Sequence, residues 1–241
     1  MTPHFYIDLK RQKKEINMHK IAPRLSNSKF VEISTDEHFI VELQYPLLKM
    51  KHATNHCYVR EEVFHMLMHA SLLLPQGYKL KIWDGWRPFA LQQELYDVYS
   101  NDILKTFNAS ELPQEEQLKI ISQFVSIPVK DKALAPLHTT GGAIDVTLVD
   151  ENGNELNMGT EFDSFAEESA TNYFELNNIN REVRNNRRIL YNCMIDAGFV
   201  NLPSEWWHYD FGNRHWASQT NNSVIYDGVF EELDIQLTNK K

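Results

Sequence analysis

Apolar residues recur every three or four positions between residues 61 and 74, which is the spacing of a helix with one buried face. The residues of that stripe are Val63, Leu67, Ala70 and Leu74. Pro75 and Gly77 follow directly, and both residue types commonly mark the end of a helix. Residues 78–83 then alternate in character, which predicts a strand.

A second helix is predicted after Pro88, because proline suits the first turn of a helix and an apolar stripe follows it. That stripe consists of Leu91, Leu95 and Val98. Residues 111–127 also have helical character, although Pro113 and Pro128 interrupt the surrounding stretch. Residues 150–178 are acidic and rich in asparagine, which predicts a loop with a short helix.

Further elements are predicted in the C-terminal half of the chain. Residues 142–149 indicate a strand, and the Asn-Gly pair at 152–153 indicates a tight turn after it. A helix is predicted over 181–197, with Gly198 placed to end it. Its stripe is Val183, Asn186, Leu190 and Met194. Residues 207–211 predict a last strand, and the irregular order of helices and strands favours a single α+β domain.

Charge and cysteine content narrow the possible functions. The chain has 24 Lys and Arg against 33 Asp and Glu, a net charge of −9, which disfavours nucleic acid as a partner. Cys57 and Cys193 cannot form a disulfide framework, so we expect a reduced compartment. No secretory signal and no run of ~20 apolar residues is recognisable, so we expect a cytoplasmic protein with no membrane partner.

Two potential metal ligands, His138 and Asp145, lie seven residues apart. Gly141 and Gly142 allow a tight turn between them. The predicted strand then carries Asp145 on one face and apolar residues on the other. The alternative interpretation is an aspartate that caps a turn beside a surface histidine.

A second cluster combines Glu205 and His208 with four aromatic residues. These are Trp206, Trp207, Tyr209 and Phe211. Apolar surroundings raise the pKa of a carboxylic acid, which suits a general base near neutral pH. Residues three apart on a strand face opposite sides, so Glu205 and His208 meet only if the chain bends between them. The alternative is an aromatic core strand with a paired Glu–His at its rim.

Arg87 lies where the strand that ends near Asp84 turns into the helix after Pro88. A guanidinium fixed at such a corner can hold a carboxylate or an oxyanion, although an ordinary structural arginine is the alternative. His65 and His69 have the i, i+4 spacing of a zinc pair, but no glutamate follows His65, so the flank of a helix is favoured. Cys57 and Cys193, which lack a neighbouring cysteine, are expected to be buried small apolar residues.

The clusters together indicate a metallohydrolase. His138, Asp145 and His208 would give a metal two nitrogens and one oxygen and leave a fourth position open. Glu205 would then be a base beside that position, and Arg87 a separate cation for developing charge.

Four motifs in order resemble the zinc D-alanyl-D-alanine dipeptidases, both the vancomycin-resistance type and its housekeeping relatives. They are D-G-W-R-P at 84–88, H-x-x-G-x-A-x-D at 138–145, M-G-T-x-F-D at 158–163 and E-W-W-H at 205–208. The resemblance implies one α+β domain with a central antiparallel sheet flanked by helices, related to D,D-carboxypeptidases and the hedgehog signalling domain. It runs from about Lys51 to Phe211, and we expect a catalytic domain over 31–211. The first thirty residues are polar and basic-leaning, which predicts an N-terminal arm over 1–30, and the polar, weakly patterned tail predicts a C-terminal extension over 212–241 packed on or trailing the domain.

The resemblance also implies roles for individual residues. One zinc ion per chain would be held by His138, Asp145 and His208. Glu205 would be the general base, Arg87 would stabilise the tetrahedral intermediate, and Asp163 would receive the free amino group of a short substrate. The implied function is zinc-dependent hydrolysis of D-Ala-D-Ala, or a closely related dipeptide, by an activated water; the oligomeric state is left open.

Three positions depart from the family pattern. Pro136 replaces a serine, and His52 and Cys57 replace a tyrosine and an asparagine where the family contacts the amino-terminal residue of the substrate. The metal and base positions match, so hydrolysis is better supported than the exact dipeptide. The alternatives are a zinc D,D- or L,D-carboxypeptidase acting on longer peptidoglycan peptides, a non-catalytic zinc-binding module, and an effector that binds proteins through its acidic loop.

Overall fold

Seven strands and eight helices are present in the part of the chain that the computed structural model describes, residues 28–177 and 179–238. The strands are β1 Phe30–Ile33, β2 Phe39–Val41, β3 Cys57–Arg60, β4 Lys79–Asp84, β5 Ala143–Val149, β6 Val200–Asn201 and β7 His208–Asp210. The helices are α1 Gln44–Leu47, α2 Glu61–Leu72, α3 Phe89–Thr106, α4 Gln114–Ile121, α5 Tyr173–Asn177, α6 Arg181–Ala197, α7 Arg214–Thr220 and α8 Glu232–Thr238.

The larger sheet has five strands in the order β2-β4-β5-β7-β6. Its neighbouring strands are antiparallel except at one edge, where β2 runs parallel to β4. The predicted single α+β domain is therefore confirmed, and the parallel edge pair is an addition to it. Strands β1 and β3 form a separate antiparallel pair.

Strand β5 lies in the middle of the larger sheet, and all seven of its residues are buried. Ile144, Val146 and Leu148 enter the main hydrophobic core. Because side chains alternate along a strand, Asp145 points to the opposite face. This carboxylate therefore extends from a buried strand in the middle of the sheet.

Helix α6 begins and ends where the sequence predicts, and Gly198 closes it in the left-handed conformation with a φ of 110°. The prediction of its buried stripe is wrong at one position, because Arg187 is buried whereas Asn186 is only partly buried. The guanidinium of Arg187 donates hydrogen bonds to backbone carbonyl groups, among them that of Met158 at 2.7 Å. A charged side chain can be buried there because its donors are satisfied.

The other predicted helices differ in extent. In α3, Leu91 and Leu95 are buried as predicted, but Val98 is 44% exposed. The helical stretch predicted over 111–127 is shorter, and only Gln114–Ile121 forms α4. Of the stretch predicted as a loop with a short helix, the described residues 150–177 hold a loop, a short 3-10 helix at Glu167–Ser169 and α5, in agreement with the prediction.

Strand β6 and helices α7 and α8 are not predicted from the sequence. Trp216, Ile225 and Tyr226, which follow the predicted last strand, belong to the main core. Most of the predicted arm, residues 1–27, lies outside the described residues, and the domain boundaries stay a prediction. Among the described helices, none has both the length and the apolar character that crossing a bilayer requires.

Candidate metal centre and active site

Three side chains from separate parts of the sequence meet at one end of the larger sheet. Asp145 and His208 are paired across β5 and β7. His138 lies in a short 3-10 helix just before β5, followed by Gly141 with a φ of 73°. One ligand atom from each of the three residues lies within 4.8 Å of the others, and all three residues are buried. Among the described residues, this is the one group of His, Cys, Asp and Glu close enough to hold a metal ion.

The partners of the two imidazoles indicate which nitrogen atoms face inward. His138 Nδ1 is 2.8 Å from the carbonyl oxygen of Gly85, which can only accept, so Nδ1 carries the proton and Nε2 presents a lone pair. His208 Nε2 is 3.0 Å from a carboxylate oxygen of Asp210, and Nδ1 is 3.0 Å from Asp145, so Nδ1 would present a lone pair when a cation replaces its proton. The two inward nitrogens are 3.2 Å apart. Two lone pairs and the carboxylate of Asp145 converge there, which suits a bound cation.

The electrostatics of the site favour positive charge. Burial raises the pKa of Asp145, but the neighbouring His138 and His208 outweigh that effect and hold the pKa well below its usual value. Burial lowers the pKa of His208, but Asp210 and Asp145 raise it by more, to well above its usual value. The same negative field that favours a proton at this position would favour a metal ion.

Glu205 lies beside this group but does not belong to it. A turn from Glu205 to His208, with the amide of His208 donating to the carbonyl of Glu205 at 3.4 Å, provides the bend that the sequence requires. Glu205 Oε2 is 3.8 Å from His208 Nδ1. Burial raises the pKa of Glu205 to about 8, although the nearby His208 lowers it. A carboxyl group with this pKa can both take and give a proton near neutral pH.

Arg87 is buried next to this group, with Nη2 3.8 Å from Asp145 Oδ2. It donates two hydrogen bonds to Asp84 Oδ2, one to Gln92 and one to the hydroxyl of Tyr45. Although burial lowers its pKa, the surrounding acidic groups raise it above the usual value, so the guanidinium stays charged. These four hydrogen bonds hold the cation in one orientation.

Asp163 is connected to Arg87 through Tyr45. The hydroxyl group of Tyr45 accepts a hydrogen bond from Arg87 Nη2 at 3.0 Å and donates one to Asp163 Oδ2 at 2.9 Å. Asp163 has a φ of 54°, a left-handed conformation that aspartate tolerates better than most residues. Burial raises its pKa to about 6, although Arg87 lowers it.

Comparisons with known proteins identify the family of this chain. The sequence model of the family described as D-ala-D-ala dipeptidase, a group of peptidases, matches residues 46–226. The chain belongs to this family. It is therefore assigned to the metallopeptidases, as the sequence motifs predict.

Individual members of the D-Ala-D-Ala dipeptidase family align over much of the chain. A protein from Synechocystis named D-alanyl-D-alanine dipeptidase is 29% identical over 68% of this chain and 72% of its own length. One of the same name from Escherichia coli is 39% identical over 58% of each chain. A solved structure of a vancomycin-resistance D,D-pentapeptidase variant with Zn(II) has a TM-score of 0.38 and 15% identity, over 67% of this chain and 76% of that one.

The candidate residues of this family member line a common cleft. The lining residues are Tyr45, Arg87, Gln92, Leu95, Tyr99, Phe124, Val125, Ser126, Leu137, His138, Asp145, Asp163, Phe165, Leu202, Glu205 and His208. Tyr45, Tyr99 and Gln92 are not predicted from the sequence, because no local motif marks them. Asp210 is not predicted either, although its position two residues after His208 places both on one strand face.

The remaining sequence candidates lie outside this cleft. His65 and His69 are exposed on α2, and Cys57 and Cys193 are buried and free, as predicted. Burial raises the pKa of both thiols far above its usual value, so neither is a reactive thiolate. Of the three departures from the family pattern, His52 is exposed, its Nδ1 lies 3.0 Å from Glu94 Oε2, and it is not among the residues that line the cleft.

Proposed function

We propose that this protein hydrolyses D-Ala-D-Ala, or a closely related dipeptide with a free amino terminus, at a zinc site formed by His138, Asp145 and His208. The observation that supports this best is the convergence of two imidazole lone pairs and one carboxylate at 4.8 Å or less, inside the cleft that Glu205 and Arg87 line. The names of the curated relatives agree with it.

The donor set fits zinc rather than a harder ion. Two imidazole nitrogens and one carboxylate oxygen are typical zinc ligands, whereas Mg²⁺ and Ca²⁺ prefer oxygen atoms. A bound zinc ion would supply Lewis acidity, both to the peptide carbonyl group and to a water molecule. Catalytic zinc sites with three protein ligands keep a further position for water or substrate.

Glu205 is proposed as the proton carrier. It removes a proton from the attacking water and delivers it to the nitrogen atom of the departing amino acid. Its position 3.8 Å from His208 Nδ1 keeps it next to the ligand group, and its pKa of about 8 allows both transfers near neutral pH.

Arg87 is proposed to stabilise the negative charge that develops on the carbonyl oxygen during attack. Its guanidinium is oriented before the reaction by Asp84, Gln92 and Tyr45. A charge that is already in place needs no reorganisation in the transition state, which is the main source of electrostatic catalysis.

Asp163 is proposed to bind the ammonium group of the substrate. Tyr45 bridges Asp163 and Arg87, so the group that binds the amino end lies at a fixed distance from the group that binds the carbonyl. Such spacing favours a dipeptide. An acylated substrate would present a neutral amide to the carboxylate and lose a charge-assisted hydrogen bond.

The test is hydrolysis of D-Ala-D-Ala by the purified protein, with L-Ala-L-Ala and N-acetyl-D-Ala-D-Ala as comparison substrates and the metal content measured on the same sample. We expect about one zinc per chain, cleavage of the free D,D-dipeptide only, and loss of cleavage in a chelator. Preference for the acetylated substrate would instead indicate a carboxypeptidase. Stoichiometric zinc with no cleavage of any substrate would indicate a non-catalytic zinc module.

A further inference from the structure

We propose that Asp210 is a positioning residue that sets the metal affinity of this site by fixing the orientation and tautomer of His208, with His215 and Asn213 holding Asp210 in place. The inference rests on the proposed function only in assuming that His208 binds a metal. It concerns residues beyond the four motifs that carry the family resemblance.

The geometry of β7 gives Asp210 its access to His208. Residues two apart on a strand face the same side, and Asp210 follows His208 by two. Asp210 is fully buried, and its Oδ2 lies 3.0 Å from His208 Nε2. Nδ1 faces Asp145 at 3.0 Å, and with a metal ion bound there it would present its lone pair to the metal. The one remaining ring proton is then on Nε2, where the carboxylate of Asp210 accepts it.

Asp210 is itself fixed by two donors from the segment that starts α7. His215 Nδ1 lies 2.8 Å from the same oxygen, Oδ2, and Asn213 Nδ2 donates to the other oxygen, Oδ1. The side chain of Asn213 also accepts from the backbone amides of His215 and Trp216, both at 3.1 Å. The start of α7 and the carboxylate are therefore held by one asparagine.

This set of contacts makes a specific prediction about replacement. Both oxygen atoms of Asp210 accept hydrogen bonds, but an asparagine has one oxygen and one NH₂ group. Whichever way the amide of Asp210→Asn is turned, a donor faces a donor, either at His208 Nε2 and His215 Nδ1 or at Asn213. A residue that only filled space would tolerate this nearly isosteric change.

The experiment measures zinc affinity by competition with a chromophoric chelator for the wild type and for Asp210→Asn. Loss of a carboxylate that orients a metal-binding histidine typically weakens the metal site 10–100-fold, and we expect a loss in that range. Imidazole ¹⁵N chemical shifts of the zinc-loaded proteins, which report the tautomer, provide a readout independent of activity. In the wild type, these chemical shifts should show that Nε2 of His208 carries the proton.

A pair of variants at His215 provides a second test if Asp210→Asn does not fold. His215→Phe removes the donor to Asp210 and should weaken zinc binding, whereas the amide of His215→Asn can occupy the position of Nδ1 and should restore it. Leu67→Ala, a core change on α2 outside this network, controls for general loss of stability and should leave the zinc affinity unchanged.

Two outcomes separate this inference from the proposed function. Wild-type affinity in both Asp210→Asn and His215→Phe would overturn the positioning role and leave the zinc peptidase intact. A wild-type protein that binds no zinc would overturn both. If the wild type binds zinc and cleaves nothing, the affinity series still decides the role of Asp210.

Discussion

Asp145 and His208 lie directly opposite each other in β5 and β7, with Asp145 Oδ1 3.0 Å from His208 Nδ1. Opposite positions in an antiparallel pair are fixed by the register of the sheet, and a slip by one residue would put the two side chains on opposite faces. Two of the three candidate ligands are therefore placed by the backbone itself. The third, His138, depends on the turn before β5.

That turn supports the first prediction. Gly141 has a φ of 73°, and a Cβ atom added there would overlap the ring of Phe30. We expect Gly141→Ala to lower the free energy of unfolding by about 3 kcal/mol, from backbone strain and overpacking together. Gly153→Ala is the matched control, since its φ is 83° but the nearest atom is 4.0 Å away. Denaturant unfolding should give it a loss of only about 1–2 kcal/mol; equal losses at both positions would contradict the steric argument.

The second prediction concerns turnover. Glu205→Gln keeps the size of the side chain but cannot carry a proton, and general acid–base groups contribute about 10²–10⁴-fold to rates. We expect kcat to fall by at least about 10²-fold while the zinc content is retained, because Glu205 is outside the ligand group. Loss of zinc together with activity would show instead that Glu205 is a ligand.

The third prediction concerns the stability of the metal-free protein. The pKa of Glu205 is about 8 in the folded chain against an ordinary 4.5, so between these pH values the folded state keeps a proton that the unfolded state releases. Stability therefore falls as pH rises through this window. Glu205→Gln has no carboxyl group that titrates in this pH range. In the presence of a chelator, its melting temperature should therefore rise relative to that of the wild type from pH 5 to pH 8. A difference in melting temperature that is independent of pH would contradict the raised pKa of Glu205.

Much of the site could be predicted because its parts are local in sequence. The strand at 142–149 and the motif at 205–208 each carry their own signal, and α6 has both an apolar stripe and a glycine to end it. The bend between Glu205 and His208 follows from strand geometry alone, since their separation would otherwise put them on opposite faces.

The rest depends on contacts between residues that are distant in the chain. Tyr45 lies in a helix of four residues and meets Asp163, which is 118 positions away, so no periodic pattern marks the pair. The pairing of β1 with β3 is equally non-local. The start of α7, in contrast, has a local signal in the sequence, because Asn213 is a residue type that commonly caps the start of a helix.

The fourth prediction concerns Arg87. Replacement by either alanine or lysine should reduce kcat by about 10²–10³-fold, the usual effect of losing one group that stabilises an oxyanion. Alanine should also destabilise the fold by about 3 kcal/mol, because it leaves the buried Asp84 without its cation. Lysine keeps the charge, so its loss of stability should be smaller. Metal analysis and thermal unfolding of both variants separate the two effects, and full activity in the lysine variant would exclude a requirement for the guanidinium.

The fifth prediction concerns recognition of the substrate's amino group. Asparagine tolerates the left-handed conformation found at position 163, so Asp163→Asn changes the charge with little strain. Losing a hydrogen bond between charged groups costs about 1.5–3 kcal/mol, so KM for the free dipeptide should rise roughly 10–100-fold at pH 7.5 with unchanged zinc content.

The pH dependence of KM in the wild type and in Asp163→Asn tests the same role of Asp163. The pKa of Asp163 is about 6, so below that pH the wild-type carboxyl is protonated and loses its attraction for an ammonium group. The wild-type KM should therefore rise as pH falls from 7 to 5, while that of Asp163→Asn stays flat in that range. The ratio of the KM of Asp163→Asn to that of the wild type cancels titrations that both proteins share, and it should fall as the pH is lowered from 7 to 5. A ratio that is independent of pH would assign the ammonium to another group in the cleft.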